Sequence, residues 1–135
     1  MSDQQSVQRA RAFLDSLAKQ RIDLWPQLVT EDFVMMFPFA PPGIPQRCEG
    51  RTQCIEMLRP LFGILEYMHW HDLELHACDE PGLVMGSGRS EGKTTSGQYR
   101  NDYCFAFRFE ADRLREYREY FNPLPVIESF LGGSK

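Results

Sequence analysis

The period of the hydrophobic pattern changes near residue 69, and this change limits what the chain can fold into. Before it, apolar residues recur at the three-to-four-residue spacing of amphipathic helices. After it, four successive stretches alternate with a period of two: HWHDLELHAC, LVMGSGRSEGKTT, QYRNDYCFAFRFE and RLREYREYF. Turn signals separate these stretches, so each strand should pair with the next. Helices followed by consecutive strands predict an α+β fold rather than a parallel α/β sheet.

Four segments are predicted to be helical. Ser2 and Gln5 can form a capping box at the start of a helix that runs to about Gln20. A short helical piece follows in DLWPQLVTED, and a second main helix lies in EGRTQCIEMLRPLFGILEYM, where Pro60 should kink or restart it. A short terminal helix is predicted in LPVIESFL, and GGSK should be a frayed end.

The segment between the two main helices changes from a strand pattern to an irregular loop. FVMMFPF combines a β-branched residue with aromatic ones and predicts a strand. APPGIP, residues 40–45, follows with three prolines and one glycine. Because an apolar loop of this kind is typical of a lid or pocket border, we expect it to rim a pocket opening.

Composition bounds the domain and its partners. With 135 residues the chain fits one domain, 1–135, and ten Phe among 13% aromatic residues suggest a large apolar interior or cavity. A net charge of −4 without a basic tract argues against a nucleic-acid partner, and no apolar run is long enough for a membrane span. Four cysteines without C-x-x-C spacing, and no apolar signal core near the N-terminus, predict free thiols in a cytoplasmic protein.

The stretch REYREYFNP, residues 115–123, contains two acidic residues that a strand must place on opposite faces. Arg115, Tyr117, Glu119 and Phe121 share one face, whereas Glu116 lies on the other. Glu119 is therefore predicted to project among aromatic rings into a cavity. Desolvation there would raise its pKa and suit it to acid–base catalysis. The alternative is that Glu119 forms a salt bridge with an arginine at the rim of the sheet.

The preceding strand carries Tyr99, Asn101, Tyr103 and Phe105 on one face, which makes an apolar wall with polar groups at one end. Asn101 and Tyr103 are predicted to hydrogen-bond a carbonyl or hydroxyl group of a ligand, with Tyr103 orienting the substrate for catalysis. The alternative is that Tyr103 is a core residue whose hydroxyl reaches solvent at the rim.

All three histidines lie in HWHDLELH, where alternation places His69 and His71 on one face with Leu73 and Leu75. We predict that a neutral His69 at the cavity mouth polarises the substrate and that His71 contacts it. Two histidines without an obvious third ligand do not define a metal site, so no metal is predicted. The alternative is that both are half-exposed strand residues without a role.

Apolar side chains from the other predicted elements should complete a wall that binds a small hydrophobic ligand. They are Phe13, Met35, Phe37 and Leu58, together with Phe105, Tyr117 and Phe121 from the sheet. On the outer face of the sheet, Leu114, Tyr120, Cys104 and Ala106 would leave an apolar patch. A C2 homodimer is the simplest way to cover that patch.

Two stretches, FPFAPPGIPQRCEGR and YRNDYCFAFRFEADRLREYREYFNP, resemble the SnoaL-like branch of the nuclear-transport-factor-two-like superfamily. That superfamily also houses ketosteroid isomerases and limonene epoxide hydrolases. The resemblance implies a cone fold, in which N-terminal helices pack on a strongly curved antiparallel or mixed sheet around a cavity, and it implies a homodimer. The C-terminal stretch also resembles the phenazine-biosynthesis A/B proteins, whose R-E-F-M-N-P segment carries an acid–base Glu that matches Glu119. Those proteins also use a His on the helix before the sheet, and TQCIEMLRPLF contains none.

Three functions are open at this point. The first is a cofactor-independent enzyme that isomerises, cyclises, condenses or dehydrates a small hydrophobic metabolite by moving a proton with Glu119. The second is a non-catalytic carrier or sensor with the same cavity. The third is a dimerisation scaffold whose cavity is filled by its own side chains. An empty volume large enough for a ligand would count against the third function.

Overall fold

The computed structural model describes residues 1–132 and confirms the predicted α+β fold. The helices are α1 (Asp3–Ala18), α2 (Trp25–Leu28), α3 (Arg51–Ile64) and α4 (Pro123–Phe130), with a 3-10 turn at Ile22–Leu24 before α2. The strands are β1 (Val29–Met36), β2 (Arg47–Glu49), β3 (Leu65–Ala77), β4 (Leu83–Thr94), β5 (Gly97–Glu110) and β6 (Arg113–Phe121). Residues 133–135, part of the predicted frayed end GGSK, lie outside the described residues.

All six strands form one curved, mixed sheet in the order β2-β1-β6-β5-β4-β3. Strands β3 to β6 pair antiparallel in succession, as the turn signals predict, whereas β1 runs parallel to β6. Strand β2 was not predicted, because three residues are too few to show alternation. Helix α1 packs against β3 and helix α3 against β1, so the core lies between the helices and one face of the sheet.

Helix α1 begins at the predicted capping box. The Ser2 hydroxyl accepts a hydrogen bond from the Gln5 backbone N–H at 3.1 Å, and the Gln5 side-chain oxygen accepts one from the Ser2 N–H at 2.8 Å. Further along α1, the carbonyl of Leu14 accepts a hydrogen bond from the Trp70 indole N–H at 2.7 Å. This bond ties the middle of the helix to strand β3.

Helix α3 runs without a break from Arg51 to Ile64, so the chain does not restart at Pro60. The proline ring removes one backbone hydrogen bond from the helix. The buried side chains of Cys54 and Leu58 pack into the core on the other side of the helix and hold the segment helical.

A β-bulge in strand β3 changes which of its side chains point inward. The pairing of β3 with β4 shifts register between His71 and Glu74, and Asp72 takes a positive φ of 54°. The extra residue puts Trp70, rather than its neighbours, on the same side as the core residue Leu75. The predicted cavity-facing positions of His69 and His71 are therefore wrong, and both side chains are exposed.

A second bulge lies at the start of strand β6. Strand β5 pairs Arg108 with Glu116 and Phe109 with Leu114, which leaves Arg115 as the extra residue. Leu114 consequently points into the core and is fully buried, so its predicted place on the outer face is wrong. Arg115 is exposed instead of sharing the inward face.

The outer face of the sheet keeps an apolar patch without Leu114. Cys104 is exposed, and Ala106 and Tyr120 are half-buried. Met85, which pairs with Ala106, is 49% exposed, and Phe39, whose ring packs edge-on against Tyr120, is 57% exposed. We call these five residues the outer patch.

None of the helices within residues 1–132 has both the length and the apolar character needed to cross a membrane.

The bulge in β3 brings its backbone close to Gly86, which generates a prediction about stability. A Cβ atom on Gly86 would lie 2.0 Å from the carbonyl oxygen of Glu74, so backbone would have to move. We expect Gly86→Ala to destabilise the fold by about 1–3 kcal/mol. Urea unfolding followed by tryptophan fluorescence measures this change.

Gly63→Ala is the matched control, because a Cβ there meets no atom within 4 Å and the residue lies in helix α3. Alanine should stabilise that helix by up to about 1 kcal/mol. Equal stability changes in the two variants would contradict the close packing of the bulge on Gly86.

Candidate active site

A cavity opens between the inner face of the sheet and helices α1, α3 and α4. Its volume is about 120 Å³. This is close to the roughly 150 Å³ of an engineered apolar protein cavity that binds benzene, so one small ring fits inside. Almost all of its lining is apolar, which is the usual character of a small-molecule site.

Seven predicted site residues line this cavity. They are Met35, Phe37, Leu58, Tyr103, Tyr117, Glu119 and Phe121. Three of these come from β6, because the strand regains its two-residue period after the bulge and sends every second side chain inward. Their roles in binding or catalysis stay predictions.

Glu119 is the one charged side chain among the lining residues of the described chain. Desolvation raises the pKa of its carboxyl to about 7, and a hydrogen bond from the Tyr117 hydroxyl to Oε1 partly opposes the rise. At neutral pH the carboxyl is therefore present in both its protonated and its ionised forms. A group in this condition can both accept and donate a proton.

The ring of Tyr117 is completely buried beneath this carboxyl. Its pKa lies well above the ordinary value, chiefly through desolvation and then through the nearby charge of Glu119. Tyr117 therefore stays a neutral phenol that can donate to Glu119. Phe13 packs on the Tyr117 ring at a centroid distance of 4.8 Å, and Phe105 lies 6.2 Å away. These aromatic contacts fix the direction of the hydroxyl.

A second polar group, which we call the tyrosine pair, consists of Tyr99 and Tyr103 on β5. Their hydroxyls are 2.9 Å apart, and the Tyr103 hydroxyl is 2.8 Å from Ser90 Oγ. Burial raises the pKa of Tyr99 to about 12 and that of Tyr103 well above its ordinary value, so both are neutral hydrogen-bond donors. The charge of Glu119 raises both pKa values further, because the carboxyl and the two hydroxyls share one cavity.

Several predicted ligand contacts lie outside the cavity wall. Phe13 and Phe105 are buried core residues behind Tyr117, and neither lines the cavity. Asn101 is also buried, but its side chain is bonded to Tyr99 and to the backbone of Asn122. In the described chain none of these three side chains therefore faces the cavity.

The two histidines are equally remote from the cavity. The imidazole of His71 lies 3.4 Å from the carboxylate of Glu91 on the exposed side of the sheet. The ring of His69 packs against that of Tyr67, with centroids 5.4 Å apart. Neither side chain can polarise a substrate held against Glu119.

Other residues that line the cavity were not predicted from the sequence. Trp70 enters the wall because of the β3 bulge, and Val126 and Phe130 enter it because α4 folds back over the cavity. Tyr99 was placed on the inward face, but no ligand contact was assigned to it. The one available signal for Phe130 was that the predicted helix LPVIESFL contains an aromatic residue. Periodicity does not reveal what a terminal helix packs against.

The 40–45 loop lies at the same cavity as Glu119. Ile44 is part of its lining, and Gly43 sits beside the side chain of Leu131 after α4. The loop and α4 therefore border the cavity together, in agreement with the position predicted for the loop.

Comparison with known proteins places the chain in a family. A profile described as the SnoaL-like domain matches residues 10–117. The chain belongs to the SnoaL-like family. The match ends at Tyr117, two residues before Glu119, so the assignment of Glu119 rests on the geometry of the site.

Individual relatives and a solved structure are similar to the chain over most of its length. An uncharacterised PhzA/B-like protein of Pseudomonas aeruginosa is 32% identical over 81% of this chain and 77% of its own length. The uncharacterised protein YesE of Bacillus subtilis is 26% identical over 97% of this chain and 90% of its own length. The crystal structure of a candidate isomerase from Bacillus subtilis, 25% identical, superposes with a TM-score of 0.87 over 99% of this chain and 98% of that one.

The raised pKa of Glu119 gives a prediction about stability and pH. A carboxyl whose pKa is higher in the folded protein destabilises the fold once it is ionised. Because Gln is neutral at every pH, Glu119→Gln should raise the free energy of unfolding by about 1–3 kcal/mol at pH 8. The gain should shrink as pH falls through about 7 towards the ordinary value of 4.5.

Urea unfolding of both proteins between pH 5 and pH 8 measures this difference. Glu116→Gln is the control, because it removes a carboxylate from the same strand but on the outer face, near Arg108 and Arg118. A stability gain of Glu119→Gln that does not change with pH would show that its carboxyl has an ordinary pKa.

Proposed function

We propose that this SnoaL-like protein is a cofactor-independent acid–base enzyme that acts on a small, largely apolar molecule of about one ring. The observation that carries the proposal is the carboxyl group of Glu119, the one charged side chain in the largely apolar lining of the described cavity, with a pKa raised to about 7. A carboxyl with a raised pKa is rarely needed for structure alone, whereas general acid–base catalysis works best with a group whose pKa is near the operating pH.

The proposed reaction begins when ionised Glu119 takes a proton from a carbon atom of the substrate. The negative charge that develops moves to an electronegative atom at the other end of the conjugated system. The hydroxyl of Tyr103, polarised by Tyr99 and Ser90, donates a hydrogen bond to that atom. Protonated Glu119 then returns the proton to a different position, which gives isomerisation, or to a leaving hydroxyl group, which gives dehydration.

Tyr117 has a different part in this scheme. Its hydroxyl donates to the Glu119 carboxylate and so holds the carboxyl in one orientation facing the cavity. The bond also stabilises the ionised form, because it lowers the pKa that desolvation raises. Tyr117 therefore keeps Glu119 from being fully protonated at neutral pH.

The comparisons support a small-molecule reaction of this class. The superposed Bacillus subtilis structure is described as that of a candidate isomerase, and the Pseudomonas aeruginosa relative is described as PhzA/B-like. The absence of a histidine from the cavity lining of the described chain separates this site from the phenazine A/B arrangement expected from the resemblance. Here the tyrosine pair takes the place of an imidazole as the second polar group.

A carrier with the same cavity is the second candidate. The apolar lining is the one observation that favours it. The scaffold alternative fits less well, because the cavity holds about 120 Å³ of empty space rather than packed side chains. Catalysis and carriage differ in one respect: a carrier needs the shape and polarity of residue 119, whereas an enzyme needs its ability to exchange a proton.

Ring opening of nitrobenzisoxazole tests the proton-transfer capacity directly. A base removes the carbon-bound proton, the N–O bond breaks, and a coloured cyanophenolate forms. We expect the wild-type rate to rise with pH around an apparent pKa of about 7. Glu119→Gln should lower the rate by about 10²–10⁴-fold, the range for loss of a general base.

Glu116→Gln serves as the control here too and should keep the wild-type rate, since Glu116 lies on the outer face of β6. Probe binding to Glu119→Gln, measured calorimetrically, should stay close to wild type. Equal rates for wild type and Glu119→Gln would contradict the proposal that the protein is an enzyme and would favour the carrier instead.

We also propose that two copies of the chain associate through the outer patch. Met85, Cys104, Ala106, Tyr120 and Phe39 form a continuous apolar surface across β4, β5, β6 and the loop after β1. Light scattering at micromolar concentration should give the mass of a homodimer, and Met85→Arg should lower it towards that of a monomer. A monomeric wild-type protein would contradict this part of the proposal.

A further inference from the structure

Asn101 uses all of its hydrogen-bonding capacity inside the protein. Its Nδ2 donates to the Tyr99 hydroxyl at 3.0 Å and to the Asn122 carbonyl at 2.9 Å. Its Oδ1 accepts from the backbone N–H groups of Asp102 at 2.8 Å and Asn122 at 3.0 Å. An amide offers two donor hydrogens and two acceptor lone pairs, so no capacity is left for a ligand.

Two of these bonds fix the start of helix α4. The Asn101 side chain meets both the N–H and the carbonyl of Asn122, as a neighbouring strand would. Asn122 follows β6 directly and is the N-cap of α4, where its own side chain accepts from the Leu124 N–H at 3.1 Å. The direction in which α4 leaves the sheet therefore depends on Asn101.

Helix α4 in turn covers the cavity. Val126 and Phe130 line it, and the Phe130 ring packs edge-on against Tyr99 with centroids 5.1 Å apart. A helix of eight residues is too short to be stable alone, so its contacts decide whether it stays in place. Its principal contacts are with β5, the strand that carries Asn101 and Tyr99.

The remaining donor hydrogen of Asn101 forms a hydrogen bond to the tyrosine pair, at the hydroxyl of Tyr99. The Tyr99 oxygen accepts this hydrogen, and the Tyr99 hydroxyl lies 2.9 Å from the Tyr103 oxygen, where either hydroxyl can donate. Ser90 can donate to the same oxygen. With Tyr99 and Ser90 as the donors, the Tyr103 hydroxyl hydrogen is free to point into the cavity, which Tyr103 lines.

We propose that Asn101 is a positioning residue that couples the closure of α4 over the cavity to the alignment of the tyrosine pair. When α4 is seated, one amide group holds Asn122 and orients Tyr99 together. When α4 moves away to admit or release a ligand, the backbone of Asn122 leaves this amide and the restraint on the hydroxyls weakens. The kinetic part of this inference rests on the proposed function, whereas the seating of α4 does not.

Hydrogen–deuterium exchange of peptides that span α4 tests the seating. Asn101→Ala should speed exchange in α4 by about tenfold or more, because two backbone bonds of Asn122 are lost. Tyr99→Phe is the matched control, since it keeps the Asn122 bonds and the ring contact with Phe130, and its α4 exchange should stay within about twofold of wild type. Peptides from β4 should be unchanged in both variants, which reports intact folding.

Unchanged α4 exchange in Asn101→Ala would overturn the proposal, as would an equal acceleration in Tyr99→Phe. Should Asn101→Ala not fold, Asn101→Ser takes its place with the same two outcomes. Its hydroxyl oxygen stands where the amide carbon of Asn101 was, short of the two atoms that bond to Asn122.

Kinetics with nitrobenzisoxazole test the coupling. Asn101→Ala and Tyr99→Phe should each lower kcat several-fold, and the double variant should lower it no further than Asn101→Ala alone. KM should rise in Asn101→Ala only. Independent, multiplicative losses of kcat would show that Asn101 has a structural role only. A wild-type protein that binds the probe in calorimetry but does not open it would sink the proposed function, and the exchange experiment would still decide the seating of α4.

Discussion

Strands β5 and β6 are antiparallel neighbours in the sheet, and their inward-facing side chains form most of the interior. Phe107 lies opposite Tyr117 and Phe105 lies opposite Glu119, so successive rungs of the ladder carry aromatic rings on one side. Helix α1 packs on these rings through Phe13. The same ladder carries the tyrosine pair farther along β5, at the end of the cavity that α4 covers. Core and candidate site are thus two parts of one strand pair.

This arrangement puts a carboxyl group where a hydrophobic side chain would stabilise the fold more. Desolvation disfavours the charged form of Glu119, and the Tyr117 hydroxyl offsets only part of that cost. A group kept under such conditions is typical of a functional site, where stability is given up for a shifted pKa. The apolar cavity that causes the shift is also what would admit an apolar ligand.

The alternation of REYREYFNP was enough to predict that Glu119 faces inward, because the strand has no extra residue between Tyr117 and Phe121. Alternation was not enough to predict which way the side chains of His69 and Leu114 point. An extra residue in a bulge looks like any other residue in the sequence, and only the register against the partner strand reveals it. The contribution of α4 to the site depends on packing between distant segments, and the contact between the Tyr99 and Tyr103 hydroxyls depends on side-chain angles. Neither leaves a periodic signal.

The pKa of the Glu119 carboxyl is the quantity on which the account depends most directly. It can be read from the carboxyl carbon resonance in an NMR titration, with Glu119→Gln to assign the signal. We expect a midpoint of about 7 and a shift of the neighbouring Tyr117 signals with the same midpoint. A midpoint near the ordinary value of 4.5 would mean that the cavity leaves the carboxyl hydrated, and it would contradict the acid–base role of Glu119.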